Sequence, residues 1–287
     1  MPPLSVQPLV FIGLVTHSQS RFQVSRTELG VAKCLEAELR QRGISVQTII
    51  CTENFCSFPV SRSMAAKSKI AQKLAMARWR YYLVKRNVPI HASAIALLLG
   101  FFEAVKTLFK SSSKIAIRRL VNIELAHLWL MQQAIKSCAS WAIIIEDDAV
   151  CDSIADLADG LLAVIRSPIE ASYINLSLSF TPAQLNAEKH LGIDPNLSWN
   201  GNITRSVLRS NLPLTNTVCA VAYEINFLHI LSQTLESMGT FPVLPIDWKL
   251  NMALVELQQK IEFRDQFKGC LFVEPGPLIQ GSLHPTT

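Results

Sequence analysis

At 287 residues, with 49% hydrophobic and 17% charged residues, the chain is long and apolar enough to bury a sizeable core, which excludes a wholly disordered protein. The net charge of +5 conceals an asymmetry: residues 61–119 hold thirteen Lys or Arg and a single acid, Glu103, whereas the remainder holds 14 basic against 21 acidic residues. Seven scattered cysteines, an odd number without a Cys-x-x-Cys pair, argue for small buried hydrophobes in a reducing compartment and against a disulfide or zinc framework.

The first fifteen residues have neither a basic start nor a small-residue cleavage site, so no secretory signal is expected. Val10-Phe-Ile-Gly-Leu-Val15 reads as a buried strand. Ser25-Arg-Thr-Glu28 has the spacing of a capping box, so a helix is expected from Ser25 to about Arg42, where Gly43 ends it. Residues 44–51 alternate and branch like a second strand. Strand, helix, strand is the opening of a wound α/β sheet with parallel neighbours.

Residues 61–113 break that rhythm and read as one or two basic helices interrupted at Pro89, with Trp79, Tyr81 and Tyr82 among the charges. The strongly apolar stretch 92–102 would rise about 16 Å as a helix, against a hydrocarbon core of about 30 Å, so no membrane span is expected there. The segment reads as an insertion, either a solvated helical hairpin packed on the body or a basic, aromatic-bearing surface for anionic lipid or another polyanion. Nucleic acid is not an expected partner, because no recognised binding motif accompanies the charge.

A helix is expected over 115–137 and a central strand over 141–145, followed by a helix capped by Asp152 or Ser153 that runs to about Arg166. Residues 172–178 read as a strand, 198–216 as a polar loop, 218–223 as a strand, 227–238 and 246–260 as helices, and 269–273 as the last strand. The expected class is α/β: a mixed, mostly parallel sheet flanked by helices. Its parts are an N-terminal nucleotide-binding portion (1–60), the basic helical insertion (61–114) and the remainder (115–287).

The chemistry concentrates at Glu146-Asp147-Asp148. These acids follow a strand too apolar to be exposed, so their carboxylates emerge at its carboxyl end, the edge where open α/β sheets bind ligands. Three adjacent acids repel one another and are costly to gather without a cation. A hard divalent ion takes one or two protein carboxylates plus phosphate oxygens, which suits a nucleotide diphosphate. An acidic turn preceding a helix is the plainer explanation of the same residues.

Trp141-Ala-Ile-Ile-Ile-Glu-Asp-Asp-Ala149 resembles the strand and acidic motif of the family 25 glycosyltransferases, the lipopolysaccharide and collagen galactosyltransferase group. Glu124-Leu-Ala-His127-Leu-Trp129 resembles the helix before that motif, and Pro245-Ile-Asp247-Trp248-Lys-Leu-Asn251 and Pro277-Leu-Ile-Gln280-Gly-Ser282 resemble later blocks in the same order. The blocks span the first strand and most of 115–282, while 61–113 finds no counterpart. The resemblance implies a GT-A-like fold, an inverting transfer from a nucleotide-sugar (UDP-linked) donor to a glycan or lipid-linked acceptor, and a Mn2+ or Mg2+ ion. The cysteines and the basic segment, rather than the resemblance, give the expected location: cytoplasmic, with docking on the inner face of a membrane if the segment is a lipid-binding surface.

Carried onto this chain, the resemblance makes Asp148 the metal ligand, with Glu146 and Asp147 near the ribose or ligating through water. The motif here is Glu-Asp-Asp where Asp-x-Asp is usual. Thr16, His17 and Arg21 match the position where such folds grip the nucleotide, and a guanidinium suits phosphate. Asp247 is the expected general base for the acceptor hydroxyl, beside Trp248, which can stack on a sugar face. A helix-capping role is the alternative for Asp247. Gln280 and Ser282 fall on the acceptor side, and His284 is a further candidate metal ligand. A haloacid-dehalogenase phosphatase would need Asp at position 146, and a dinucleotide-binding oxidoreductase would need more glycines than Gly13. A glycosyltransferase-like module that binds without turnover is the remaining rival.

Overall fold

β1 (Leu9–Val15) is covered on both faces, which is why its sequence is an unbroken apolar run rather than an alternating one. Val10, Ile12 and Leu14 enter one core. On the opposite face Gly13 leaves room for Leu130, whose methyl carbons would lie 3.2 Å from a Cβ placed there. The computed structural model describes residues 9–16, 22–83, 89–109, 113–168, 170–177, 188–193, 197–199, 203–213, 219–260, 263 and 266–281. The chain divides into two units. One comprises Met1–Thr52, Trp129–Ile230 and Asp265–Thr287; the other comprises Glu53–Leu128 and Leu231–Arg264.

In the first unit α1 (Val31–Gln41) and β2 (Ser45–Cys51) complete the expected strand–helix–strand, with β2 parallel to β1 in the register Leu9–Ser45 to Val15–Cys51. The helix ends as expected at Gly43, whose φ of +76° suits glycine. Its start is corrected. Gln23–Arg26 is a 3₁₀ turn, the Ser25 hydroxyl donates to the Phe22 carbonyl at 2.6 Å, and α1 begins after Gly30. Gly30 is a close approach: a Cβ there would lie 2.2 Å from the Ser25 carbonyl oxygen. The hydroxyl is therefore spent on its own turn, which displaces the cap by several residues.

Three long helices come next: α2 (Arg62–Leu83), α3 (Ile90–Phe109) and α4 (Ser113–Lys136). The sheet then resumes with β3 (Trp141–Glu146) and β4 (Ala149–Cys151), followed by α5 (Ile154–Ile165), capped by Ser153, whose hydroxyl accepts from the Asp156 amide at 3.2 Å. β5 (Tyr173–Asn175), β6 (Gly192–Ile193), β7 (Ser206–Ser210) and β8 (Ala220–Glu224) follow. The chain continues through α6 (Ile225–Ser237), α7 (Ile246–Gln259), β9 (Cys270–Glu274) and β10 (Leu278–Gln280).

Among the described residues the main sheet has eight strands in the order β2-β1-β3-β8-β5-β9-β7-β6, and β4 pairs with β10 in a separate ribbon. The class is mixed α/β, but the expected predominance of parallel pairing is corrected. Only β1–β2, β1–β3 and β5–β9 are parallel, against four antiparallel pairings in the same sheet. A strand buried on both faces is apolar throughout whichever way it runs, so the sequence carries no mark of direction. α1 and α5 contribute Leu35, Leu39, Leu157 and Leu161 to the core beneath β1 and β3. They are tied by Arg42, whose guanidinium forks onto both carboxylate oxygens of Asp159.

The expected loop over 198–216 is also corrected, since it holds β7, paired with β9. Ahead of β7, Trp199 is 5% exposed and lies on α5 at Gly160, where a Cβ would come within 1.9 Å of the indole. Fully buried Asp156 holds the same segment: it accepts from Trp199 Nε1 at 3.3 Å, Ile203 N at 3.0 Å and Arg205 Nε at 3.2 Å.

In the second unit α2 and α3 meet where Gly100 comes so near Ile70 that a Cβ would lie 2.8 Å from its Cα. A core of Cys56, Val60, Ala65, Ile117, Val121 and Val243 lies beside the α4 portion of this unit. Pro89 separates α2 from α3 as expected, but α3 is longer than its apolar kernel suggested. Its 20 residues are long and apolar enough to cross a membrane by length and composition, with 22% of the most apolar window buried. The helix continues through Glu103 and Lys106, which pair with each other and so do not end it. All seven cysteines are free thiols, four of them buried.

Candidate functional site

β3 lies parallel beside β1 with Glu146 opposite Val15, and β2 flanks β1 on the other side. The chain thus reverses its winding between β1 and β3, and the carboxyl ends of those strands bound the crevice in which open α/β sheets hold ligands. Backbone bonds set the height of each group: the Thr16 amide donates to the Cys51 carbonyl at 3.1 Å, Glu146 to Cys219 at 2.8 Å and Asp147 to Val15 at 3.0 Å. Thr16 and Asp147 are therefore the first residues beyond paired neighbours. The Thr16 hydroxyl donates to Asp147 Oδ2 at 2.8 Å.

The third acid departs from expectation. Asp148 is 7% exposed, whereas Glu146 and Asp147 are half-buried, so the motif does not simply emerge into solvent. The turn Asp147-Asp148 folds back into β4, and β10 lies antiparallel against that strand with Gln280 opposite Ala149. The Gly281 amide donates to the Asp148 carbonyl at 2.7 Å, and a Cβ on Gly281 would be 2.9 Å from that oxygen. This apposition of residues 278–281 with the acidic turn was not read from the sequence. Gly281 was its one available signal, visible only as a glycine after Gln280.

The three carboxylates act on a common interior point. Burial pushes the Cys219 thiol well above the usual thiol range, and the charges of Glu146, Asp148 and Asp147 add to the shift. Burial likewise raises the Tyr223 hydroxyl, with Glu146 contributing. An ionised carboxylate as enclosed as Asp148 is costly unless donors or a cation offset it. The oxygen-only donor set fits a hard divalent ion. Among the described residues no group of three or more His, Cys, Asp or Glu is arranged to hold a metal, so ligand oxygens would have to complete its shell.

No protein-family model and no curated protein matches this chain.

Of the residues expected at the site, Thr16, Glu146, Asp147, Asp148 and Gln280 belong to the first unit and gather at these strand ends. Asp247 and Trp248 belong to the second unit, half-buried in the first turn of α7. Pro245 stands at the N-cap of that helix, so Asp247 is not its N-cap residue. His17, Arg21, Ser282 and His284 lie outside the described residues.

Lys249, not singled out in the sequence, is 3% exposed in the second unit and places its ammonium against Glu124 Oε1 and the Gly239 carbonyl. Glu124 is fully buried, and burial pushes its carboxyl upward while Lys249 opposes the shift. The blocks 124–129 and 245–251 thus meet through an ion pair. The signal that could have pointed to it was a lysine flanked by Trp248 and Leu250 in α7.

Proposed function

We propose that the chain is a metal-assisted glycosyltransferase resembling family 25, with the nucleotide diphosphate of its sugar donor at the carboxyl ends of β1 and β3. The observation that carries this reading is the union of Thr16, Asp147 and enclosed Asp148 at the point where the sheet reverses its winding. Thr16 holds the Asp147 carboxylate by one oxygen and leaves the other for a ribose hydroxyl or a water. Asp148, with phosphate oxygens, is the residue to hold Mn2+ or Mg2+, and His284 would add a ligand from the tail. Such an ion, when bound, neutralises the charge that develops on the departing diphosphate. His17, next to Thr16 in the chain, and Arg21, five positions beyond it, are assigned to the nucleotide.

In the transfer, the acceptor oxygen forms its bond to the anomeric carbon as the carbon–phosphate oxygen bond breaks. The resemblance to family 25, and not the placement of the two units, assigns the acceptor's proton to Asp247 and the acceptor to Trp248, Gln280 and Ser282. Calorimetric titration of UDP, with and without Mn2+, tests the donor site. Metal-dependent binding that disappears in Asp148→Asn is expected, and metal-independent binding or equal affinity in the variant sinks the assignment. Hydrolysis of a UDP-sugar by the same preparation separates an enzyme from a module that only binds.

A further inference from the structure

α3 is inside out for a helix in water. Its buried residues are the small ones, Ala96, Gly100, Ala104 and Thr107, and Gly100 brings its backbone against Ile70 of α2. Its large residues point away: Ile95 is 55% exposed, Leu98 60%, Phe102 62% and Phe109 82%. At about 100° per residue these four and Val105 fall within about 40° of the direction opposite Gly100. A water-soluble helix turns its large apolar side chains to the core, and small residues at a helix contact with large ones outward is the arrangement found in lipid.

The exposed charges of this segment are cationic. Arg62, Lys67, Lys69, Arg78 and Arg80 of α2, Lys106 of α3, and Lys114, Arg118 and Arg119 at the start of α4 are exposed. The carboxyl of Glu103, the single acid in this stretch, is held below its usual range by a hydrogen bond from Lys106, with the charges of Lys73 and Lys69 adding. Gly100 lies against Ile70, so Lys69 and Lys73, close to Ile70 along α2, fall beside α3 near Glu103. We propose that α3 lies in the interface of an anionic phospholipid bilayer, its outer stripe among the acyl chains and the neighbouring Lys and Arg at the lipid phosphates.

Two other fates of the stripe are disfavoured on physical grounds. α3 is long enough to cross a bilayer, but packed as it is it would draw the charges of α2 into hydrocarbon, at about a hundredfold cost per charge in the insertion equilibrium. A second copy on the stripe would bring together two segments with thirteen basic residues and one acid each, which repel. The proposal does not depend on the donor-site assignment.

The full-length protein is tested by flotation with vesicles of phosphatidylcholine alone and with added phosphatidylglycerol, at about 0.05 M and about 0.5 M salt. Partitioning should be at least about tenfold stronger with the anionic lipid and should weaken with salt. Leu98→Ser combined with Phe102→Ser should reduce it about tenfold or more at an unchanged melting temperature, because both side chains face outward. Alkaline carbonate should release the bound protein. Equal binding to both vesicle types, binding to neither, indifference to the double substitution, or retention after carbonate would overturn the proposal. So would self-association abolished by the same two changes, which would give the stripe to a second copy.

Discussion

The hydroxyl of Thr16 does two things at once: it satisfies one oxygen of Asp147 and keeps that carboxylate over the end of β3. Thr16→Val preserves the shape and removes the donor. UDP affinity should fall about three- to tenfold with little change in melting temperature, as measured by calorimetry and thermal denaturation. Asp148→Asn keeps the volume and removes the charge, so the benefit of Mn2+ to UDP binding should vanish while the fold persists. For Asp247→Asn the loss should fall on kcat, by about 10²–10⁴-fold, with donor affinity retained. A kcat near that of the unaltered protein would return Asp247 to a structural role in the first turn of α7. The acidic triplet could be singled out because charge stops an apolar run abruptly at Glu146. The partnership with Thr16 could not, since the two residues are 131 positions apart.

At the scale of elements, α5 and the segment before β7 form a tether that local pattern did not reveal. Asp156 sits in the first turn of α5, where a carboxylate is ordinary, yet it is fully buried beneath Trp199 and Arg205. Gly160→Ala would drive a methyl into the Trp199 ring, and a loss of about 3 kcal/mol in urea unfolding is expected. Arg205→Met would leave Asp156 charged and enclosed without its cation, at a similar or larger cost. Burial alone would raise the Asp156 carboxyl, but the bonds from the Ile203 amide, Arg205 and Trp199 outweigh it and hold the group below its usual value of 3.8. The stabilisation is therefore complete above that value and is lost as pH falls through the depressed folded value. Melting temperatures followed from about pH 6 to about pH 2 should drop less steeply in Asp156→Asn than in the unaltered chain. The segment read as a loop because Ser206-Val-Leu-Arg-Ser210 has two apolar residues in five; its strand exists through pairing with β9.

Across the whole molecule, the order of helices and strands was largely determined by the sequence itself, because the signals are local. Apolar runs mark β1, β3, β8 and β9, Ser153 caps α5, Gly43 closes α1 and Pro89 parts α2 from α3. Charge distribution is equally a property of the sequence, and thirteen basic residues against one acid over 61–119 require most of that segment's charges to meet solvent or a ligand. Only the tertiary structure decided which strands run antiparallel, since burial on both faces erases direction from the pattern. It alone turned the small residues of α3 inward and the large ones out, because that choice depends on how close α2 can come. It alone set residues 278–281 against the acidic turn and Lys249 against Glu124. Such contacts join residues more than a hundred positions apart, and no period or cap in the chain records them.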